Sequence, residues 1–226
     1  MGKTATYPAM RINKLAPEYT KGEEIFNAVS HIVGGALGLV ALVTLLIYAY
    51  PNAGYMASVA AFGVSVIVLY TMSALYHFLP RGGGKKVFRI FDHCTIFLLI
   101  AGTYTPFCVI ALGLSTTGIV ILVIEWVLAV LGITGNAIAM NNKVIKGISM
   151  AFYCVMGWLI LIAFGELFRN LTLAEFVLLL AGGLAYTLGI IFYALGKKIK
   201  YFHSVWHLFD VAGTALQFAS LLLLLL

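Results

Sequence analysis

The sequence has few charged residues and few cysteines. Only 10% of its 226 residues are Asp, Glu, Lys or Arg, whereas 62% are hydrophobic. A soluble domain carries roughly 25% charged residues, so this composition excludes an ordinary water-soluble domain. The three cysteines, Cys94, Cys108 and Cys154, lie within apolar runs. That placement predicts buried, reduced thiols and not a disulfide framework.

The charge is unbalanced, with 14 Lys and Arg against 8 Asp and Glu and a formal net charge of +6. The basic residues do not cluster on an amphipathic segment, so we expect no nucleic-acid partner. They lie between the apolar runs, where a bacterial inner-membrane protein carries its topology signals. Residues 1–24 contain four of them and no apolar core, which predicts a cytosolic tail and not a cleavable signal peptide.

Apolar runs of about 20 residues recur along the rest of the chain, and each can cross a ~30 Å hydrocarbon core as an α-helix. The sequence therefore predicts an all-α membrane protein whose single domain, residues 25–226, is a seven-helix bundle. The predicted spans are about 25–50, 55–79, 89–111, 117–139, 147–168, 173–195 and 201–226. Thirteen of the 14 Lys and Arg lie in the tail and in alternate loops. The positive-inside rule then places the N-terminus in the cytosol and the C-terminus outside.

Polar residues from distant parts of the chain fall at similar predicted depths. At 1.5 Å per residue, three of them lie about 4–5 Å inside the cytosolic boundary: His77, Asp92 and His203. Three others lie about 10 Å inside it: Ser73, His31 and His207. Since an unpaired ionisable group in lipid costs several kcal/mol, these side chains are expected to face the bundle interior.

The spacing of the histidines is typical of a metal site. His203 and His207 are four residues apart and share one face of the predicted seventh helix, as Ser73 and His77 do on the second. Three imidazoles and a water form an open tetrahedral Zn²⁺ site, so we predict His77, His203 and His207 as zinc ligands. Zinc lowers the pKa of a bound water to about 7. Asp92 is the predicted catalytic carboxylate that holds or activates this water, and Ser73 could donate to the water or to a developing oxyanion.

Other interpretations of these polar residues stay open. An intramembrane histidine is commonly an interhelical hydrogen-bonding group, and imidazoles suit several divalent metals besides zinc. We expect His31 to be a hydrogen-bonding residue behind the ligands, with an alternative role as a ligand. Asp210 is either an interhelical hydrogen-bonding group or a contact for the ligands or the substrate. Glu125 lies mid-span away from this layer, and His93 is expected to be a packing or interface residue.

Two further motifs predict features of packing. Gly34 and Gly38 are four residues apart, a spacing that permits close helix contact. Pro106 lies inside the third predicted span, where a kink is expected.

Four segments of the chain resemble those of a known family. They are "NAVSH" (27–31), "SALYH" (73–77), "FDHCTIFLLIAGTYTPF" (91–107) and "HSVWHLF" (203–209). Their order and placement, from about residue 22 to the end, resemble the bacterial haemolysin-III branch of the progestin and adipoQ receptor family. The resemblance implies an N-inside seven-helix bundle with zinc near the cytosolic face, held by His77, His203 and His207. It also implies that Asp92 lies beside the water on the metal and Ser73 behind the ligands, and it implies no role for Asp210.

The sequence and the resemblance together predict a zinc-dependent hydrolase of a lipid amide or ester, because the wider group of this family includes the alkaline ceramidases. Membrane lipid is the expected substrate or ligand. Three other functions stay open: a non-enzymatic lipid sensor or receptor-like protein with structural zinc, an ion or proton transporter, and a cytolysin. The predicted polar groups gather in one leaflet, which argues against transport. The oligomeric state also stays open, a homo-oligomer included.

Overall fold

The computed structural model describes residues 19–196 and 198–226. Within these residues, seven helical segments are long and apolar enough to cross a membrane. The predicted seven-helix membrane bundle is confirmed, while the cytosolic location of the N-terminus stays a prediction. The helices are α1 (Lys21–Ala49), α2 (Ala53–Phe78), α3 (Gly83–Pro106), α4 (Thr116–Ala139), α5 (Lys143–Trp158), α6 (Phe164–Asn170), α7 (Leu173–Leu195) and α8 (Phe202–Leu225). The third span is α3 with a following π-helix, and the fifth is α5 and α6 joined by a 3₁₀ segment.

The start of α1 is fixed by a local capping box. The Thr20 hydroxyl accepts a hydrogen bond from the Glu23 N–H, and the Glu23 carboxylate accepts one from the Thr20 N–H. This reciprocal pair satisfies backbone donors that the first helical turn leaves free. Residues 1–18 lie outside the described residues, so only the last part of the predicted tail, residues 1–24, can be compared, and α1 already begins within it at Lys21.

The third and fifth spans begin earlier than residues 89 and 147, where hydropathy places them. They start at Gly83 and Lys143, and the Asn142 side chain accepts a hydrogen bond from the Val144 N–H to cap the fifth. Hydropathy detects only the apolar part of a helix, whereas basic residues continue the same helix into the membrane interface.

Helix α1 packs between α2 and α8 and so brings the second and seventh spans close together. A Cβ atom at Gly34 would lie 3.2 Å from both Tyr70 of α2 and Val211 of α8. At Gly38 a Cβ would lie 2.7 Å from Val66 of α2. The predicted use of this glycine pair for close helix contact is confirmed.

The helical geometry changes at two neighbouring places. After Pro106, the third span continues as a π-helix over Phe107–Ala111, at the position where a kink is predicted. The fifth span changes from α to 3₁₀ geometry over Leu159–Ala163. The 3₁₀ segment contacts the end of α3, because the Ile160 N–H donates to the Tyr104 hydroxyl at 2.9 Å.

A stripe of polar side chains on α8 faces the bundle interior, and it includes the predicted ligands His203 and His207. Its members are all buried: His203, His207, Asp210, Thr214 and Gln217. The outer faces carry exposed apolar side chains such as Ile138, which is 81% exposed and suited to lipid contact.

All three cysteines are free, as expected, and Cys94 and Cys108 are buried. The expectation of burial is wrong for Cys154, which is exposed. It lies on a side of α5 that borders a cavity, so no helix covers its thiol there.

Candidate metal centre

Three histidine side chains converge at one end of the bundle. His77 lies in the last turn of α2, and His203 and His207 lie in the first turns of α8. All three are buried, and one ring nitrogen of each lies within 4.8 Å of the other two. The four-residue spacing directs His203 and His207 to one side of α8. The fold therefore brings together the three residues that the sequence predicts as ligands.

The geometry of this histidine cluster fits a metal ion. The Nε2 atoms of His203 and His207 are 3.2 Å apart, and two nitrogens bound to tetrahedral zinc lie about 3.3 Å apart. Nε2 of His77 is buried and has no hydrogen-bond partner among residues 19–196 and 198–226. A hydrogen bond between His203 and His207 leaves this nitrogen unsatisfied, whereas one shared ion satisfies all three. Buried polar atoms require such partners, so the cluster could hold a metal ion.

Ser73 and Asp92 lie beside the histidine cluster. Ser73 is one turn before His77 on α2, and its side chain interacts with the carboxylate of Asp92 on α3. The Asp92 side chain remains 16% exposed. Asp92 is not one of the side chains whose ligand atoms form the cluster. The structure thus holds a carboxylate next to the histidines, and its catalytic role stays a prediction.

His31 and Asp210 lie behind the predicted ligand His207. The rings of His31 and His207 stack with centroids 3.7 Å apart, and the Tyr70 ring packs edge-on against His31. Nε2 of His31 is 3.7 Å from Oδ2 of Asp210. His31 therefore contacts a predicted ligand without joining the three-nitrogen cluster. Neither of its ring nitrogens has a hydrogen-bond partner among the described residues, so its expected hydrogen-bonding role stays a prediction. Asp210 approaches His31 and not the cluster.

Two other titratable residues are not members of the histidine cluster, although His93 Nδ1 lies 3.5 Å from Oδ2 of Asp92. The ring of His93 approaches the Arg89 carbonyl oxygen, with Nδ1 at 3.0 Å. Glu125 on α4 is 0% exposed, and within the described ranges both of its carboxylate oxygens lack a hydrogen-bond partner. Neither side chain belongs to the histidine cluster.

Three residues that the sequence pattern does not indicate also contact the histidines. Glu24 Oε2 lies 2.7 Å from His77 Nδ1, and Oε1 lies 2.8 Å from Lys85 Nζ. The Tyr19 ring stacks on His203 at 4.7 Å, and burial raises the pKa of its phenol, which therefore stays protonated. Glu24 does carry one signal, because it precedes His31 by seven residues and so shares its face of α1.

An apolar cavity of about 130 Å³ lies between α3, α5, α7 and α8. Its walls are mostly apolar and aromatic, and its polar groups include Asp210 and Gln217 from the α8 stripe. The Trp158 indole N–H donates to the Thr187 hydroxyl at 3.1 Å and so links α5 to α7 beside it. Apolar walls with a few fixed polar groups are typical of a small-molecule or lipid site.

The match to a known family covers almost the whole described chain. The family profile described as "Haemolysin-III related" matches residues 19–218. The chain belongs to the haemolysin-III family. The match begins at Tyr19 and includes every residue of the histidine cluster, so the family expected from the four sequence motifs is confirmed.

Individual relatives agree with this membership. Hemolysin-3 of Bacillus cereus is 43% identical over 202 residues, which cover 88% of this chain and 90% of that protein. Hemolysin-3 homolog of Bacillus subtilis (strain 168) is 41% identical over 206 residues, covering 90% and 95%. Monocyte to macrophage differentiation factor of Homo sapiens is 24% identical over 168 residues, covering 71% and 67%. Together with the seven apolar helices, the family establishes a multi-pass membrane protein.

Proposed function

We propose that this haemolysin-III family protein is a zinc-dependent hydrolase of a lipid amide or ester. The observation that carries the proposal is the convergence of three buried imidazole nitrogens beside a carboxylate. Catalytic zinc sites use three protein ligands and keep the fourth position for water or substrate. His77, His203 and His207 would hold the ion. This donor set has the number and type of ligands that such a site needs.

The chemistry follows from the residues around the cluster. When bound, zinc would polarise the scissile carbonyl. It would also lower the pKa of a water molecule, so that this water loses a proton near neutral pH and can attack the carbonyl carbon. Asp92 would accept the proton of the attacking water and transfer it to the departing amine or alcohol. Ser73, whose side chain interacts with Asp92, would donate a hydrogen bond to that carboxylate and keep it oriented.

The cavity suits the apolar part of a lipid substrate. A hydrocarbon tail would lie between α3, α5, α7 and α8, in contact with side chains such as Trp158 and Ile100. Asp210 lines this cavity and also approaches His31, which stacks on the ligand His207. A lipid whose tail fills the cavity would therefore bring its polar group toward the histidine cluster.

We further propose that the protein resides in the bacterial inner membrane with its N-terminus in the cytosol. Thirteen of its 14 Lys and Arg then lie on the cytosolic side, as the positive-inside rule requires. The histidine cluster would lie in the inner leaflet. A reporter fused to the C-terminus and active only outside the cytosol tests this orientation.

A non-enzymatic protein with structural zinc is a second candidate function. It is favoured by Tyr19, whose ring stacks on His203 and covers that side of the cluster. Zinc would then stabilise the bundle, and no lipid would be consumed. An ion relay is less favoured, because Glu125 has no hydrogen-bond partner in the described part of the chain to connect it with the histidines.

The first experiment is elemental analysis of detergent-purified protein. We compare wild type with the double variant His203→Ala/His207→Ala and with His93→Ala, a control histidine outside the cluster. Wild type and the control should retain about one zinc per chain, whereas the double variant should lose it and stay folded. A folded wild type that takes up no zinc when zinc is offered would refute the proposal. Zinc-loaded protein that consumes no lipid across a panel of amides and esters would favour the structural role.

A further inference from the structure

Glu24 connects a predicted metal ligand to a basic side chain outside the histidine cluster. Its Oε2 lies 2.7 Å from Nδ1 of His77, and its Oε1 lies 2.8 Å from Nζ of Lys85. Glu24 belongs to the first turns of α1, His77 to the last turn of α2 and Lys85 to the first turn of α3. One carboxylate therefore joins three spans at the edge of the cluster.

The Glu24 contact determines which nitrogen of His77 carries the proton. An ionised carboxylate can only accept a hydrogen bond, so Nδ1 must be the donor at this distance. In a neutral imidazole the lone pair is then on Nε2, the buried atom that lacks a partner among the described residues. The amide nitrogen of Asn27 also approaches Nδ1, but at 3.5 Å, and it would require the opposite tautomer. The shorter, charge-assisted contact with Glu24 decides between the two.

Lys85 holds Glu24 in this position. Its ammonium group also donates to the carbonyl oxygens of His77 at 3.4 Å and Leu79 at 3.2 Å. These carbonyls lie at the C-terminal end of α2, where free acceptors and the helix dipole favour a cation. The same Nζ lies 4.9 Å from the centroid of the Tyr76 ring. Lys85 thus links the Glu24 carboxylate to the C-terminal end of α2, which carries His77.

We propose that Glu24 and Lys85 are positioning residues of the metal centre. Glu24 fixes the His77 ring with its Nε2 lone pair toward the ion, and Lys85 fixes the Glu24 carboxylate. This inference rests on the proposed function only in requiring a metal at the three histidines. Removing a partner that orients a metal-bound histidine typically weakens metal binding 10- to 100-fold.

The test is the zinc affinity of full-length, detergent-purified protein, measured by competition with a chromophoric chelator. Glu24→Gln removes the charge and should weaken zinc binding roughly 10- to 100-fold. Lys85→Met should weaken it by about tenfold, the lower end of that range. Lys85→Arg keeps a cation with N–H donors and should restore most of the affinity. Lys86→Met is the matched control, because Lys86 is adjacent and exposed, and it should bind zinc as the wild type does.

Cobalt(II) absorption gives a second readout that loss of stability alone would not change. Cobalt-loaded Glu24→Gln should show an altered visible spectrum, because the orientation of one of its three imidazole ligands changes. Wild-type affinity and spectrum in both Glu24→Gln and Lys85→Met would overturn the inference and leave the metal centre standing. If wild type binds neither metal, the proposed function falls as well. Should Glu24→Gln fail to fold, the comparison of Lys85→Met with Lys85→Arg decides the question.

Discussion

Removal of the metal is expected to destabilise the helix bundle. An ion at the three histidines would connect α2 to α8 through His77 and His203, which are 126 positions apart in the chain. Metal that binds only the folded state stabilises it by about 2.7 kcal/mol at 100 times its Kd and by about 4.1 kcal/mol at 1,000 times. In a chain of this size, each kcal/mol shifts the melting temperature by about 2–4 °C. Chelation should therefore lower the melting temperature by roughly 5–16 °C.

The assay is thermal unfolding in detergent, followed by tryptophan fluorescence with excess zinc or with a chelator. His207→Ala should melt at or below the temperature of chelated wild type and should not respond to the chelator. His93→Ala keeps all three predicted ligands and should respond as the wild type does. Equal responses of wild type and His207→Ala would refute the assignment of the stabilising ion to the histidine cluster.

Four further variants test other parts of the structure. Asp92→Asn should keep zinc by elemental analysis and lose lipid hydrolysis, and retained turnover would contradict the role of this carboxylate in proton transfer. Gly102→Ala should reduce stability by about 1–3 kcal/mol, because a Cβ would lie 2.8 Å from the Ala61 carbonyl oxygen. Gly147→Ala, whose Cβ would meet nothing within 4 Å, should be neutral or stabilising in the same melting assay. Glu125→Leu should raise the melting temperature, since a buried polar group without a partner costs about 1–3 kcal/mol, and a lower value would reveal an interaction of Glu125.

Helix geometry alone predicts the depth and the inward direction of the three candidate ligands. The depth of His77, His203 and His207 follows from their distance to a span boundary, because the rise per residue is constant. Their inward direction follows from the cost of placing an ionisable group in lipid. However, His31 has nearly the depth of His207 and is equally buried. Only the packing of α1 against α8 places its ring flat against His207 and not in the cluster.

The contact between Glu24 and His77 cannot be predicted from helix geometry alone. The seven-residue interval from Glu24 to His31 shows which face of α1 the carboxylate occupies. Its partner depends on how α1 is rotated against α2. That rotation is fixed by close contacts such as the one between Gly38 and Val66, both of which lie far from the site.

The sequence by itself determined the seven spans, the family and the three candidate ligands. These depend on hydropathy, spacing and motifs, which are properties of the chain read along one helix at a time. The tertiary structure decided that Cys154 is exposed, that Asp210 approaches His31 and that Glu24 and Lys85 support His77. Each of these outcomes depends on the rotation and crossing of helices, which are set by side-chain packing between residues distant in sequence.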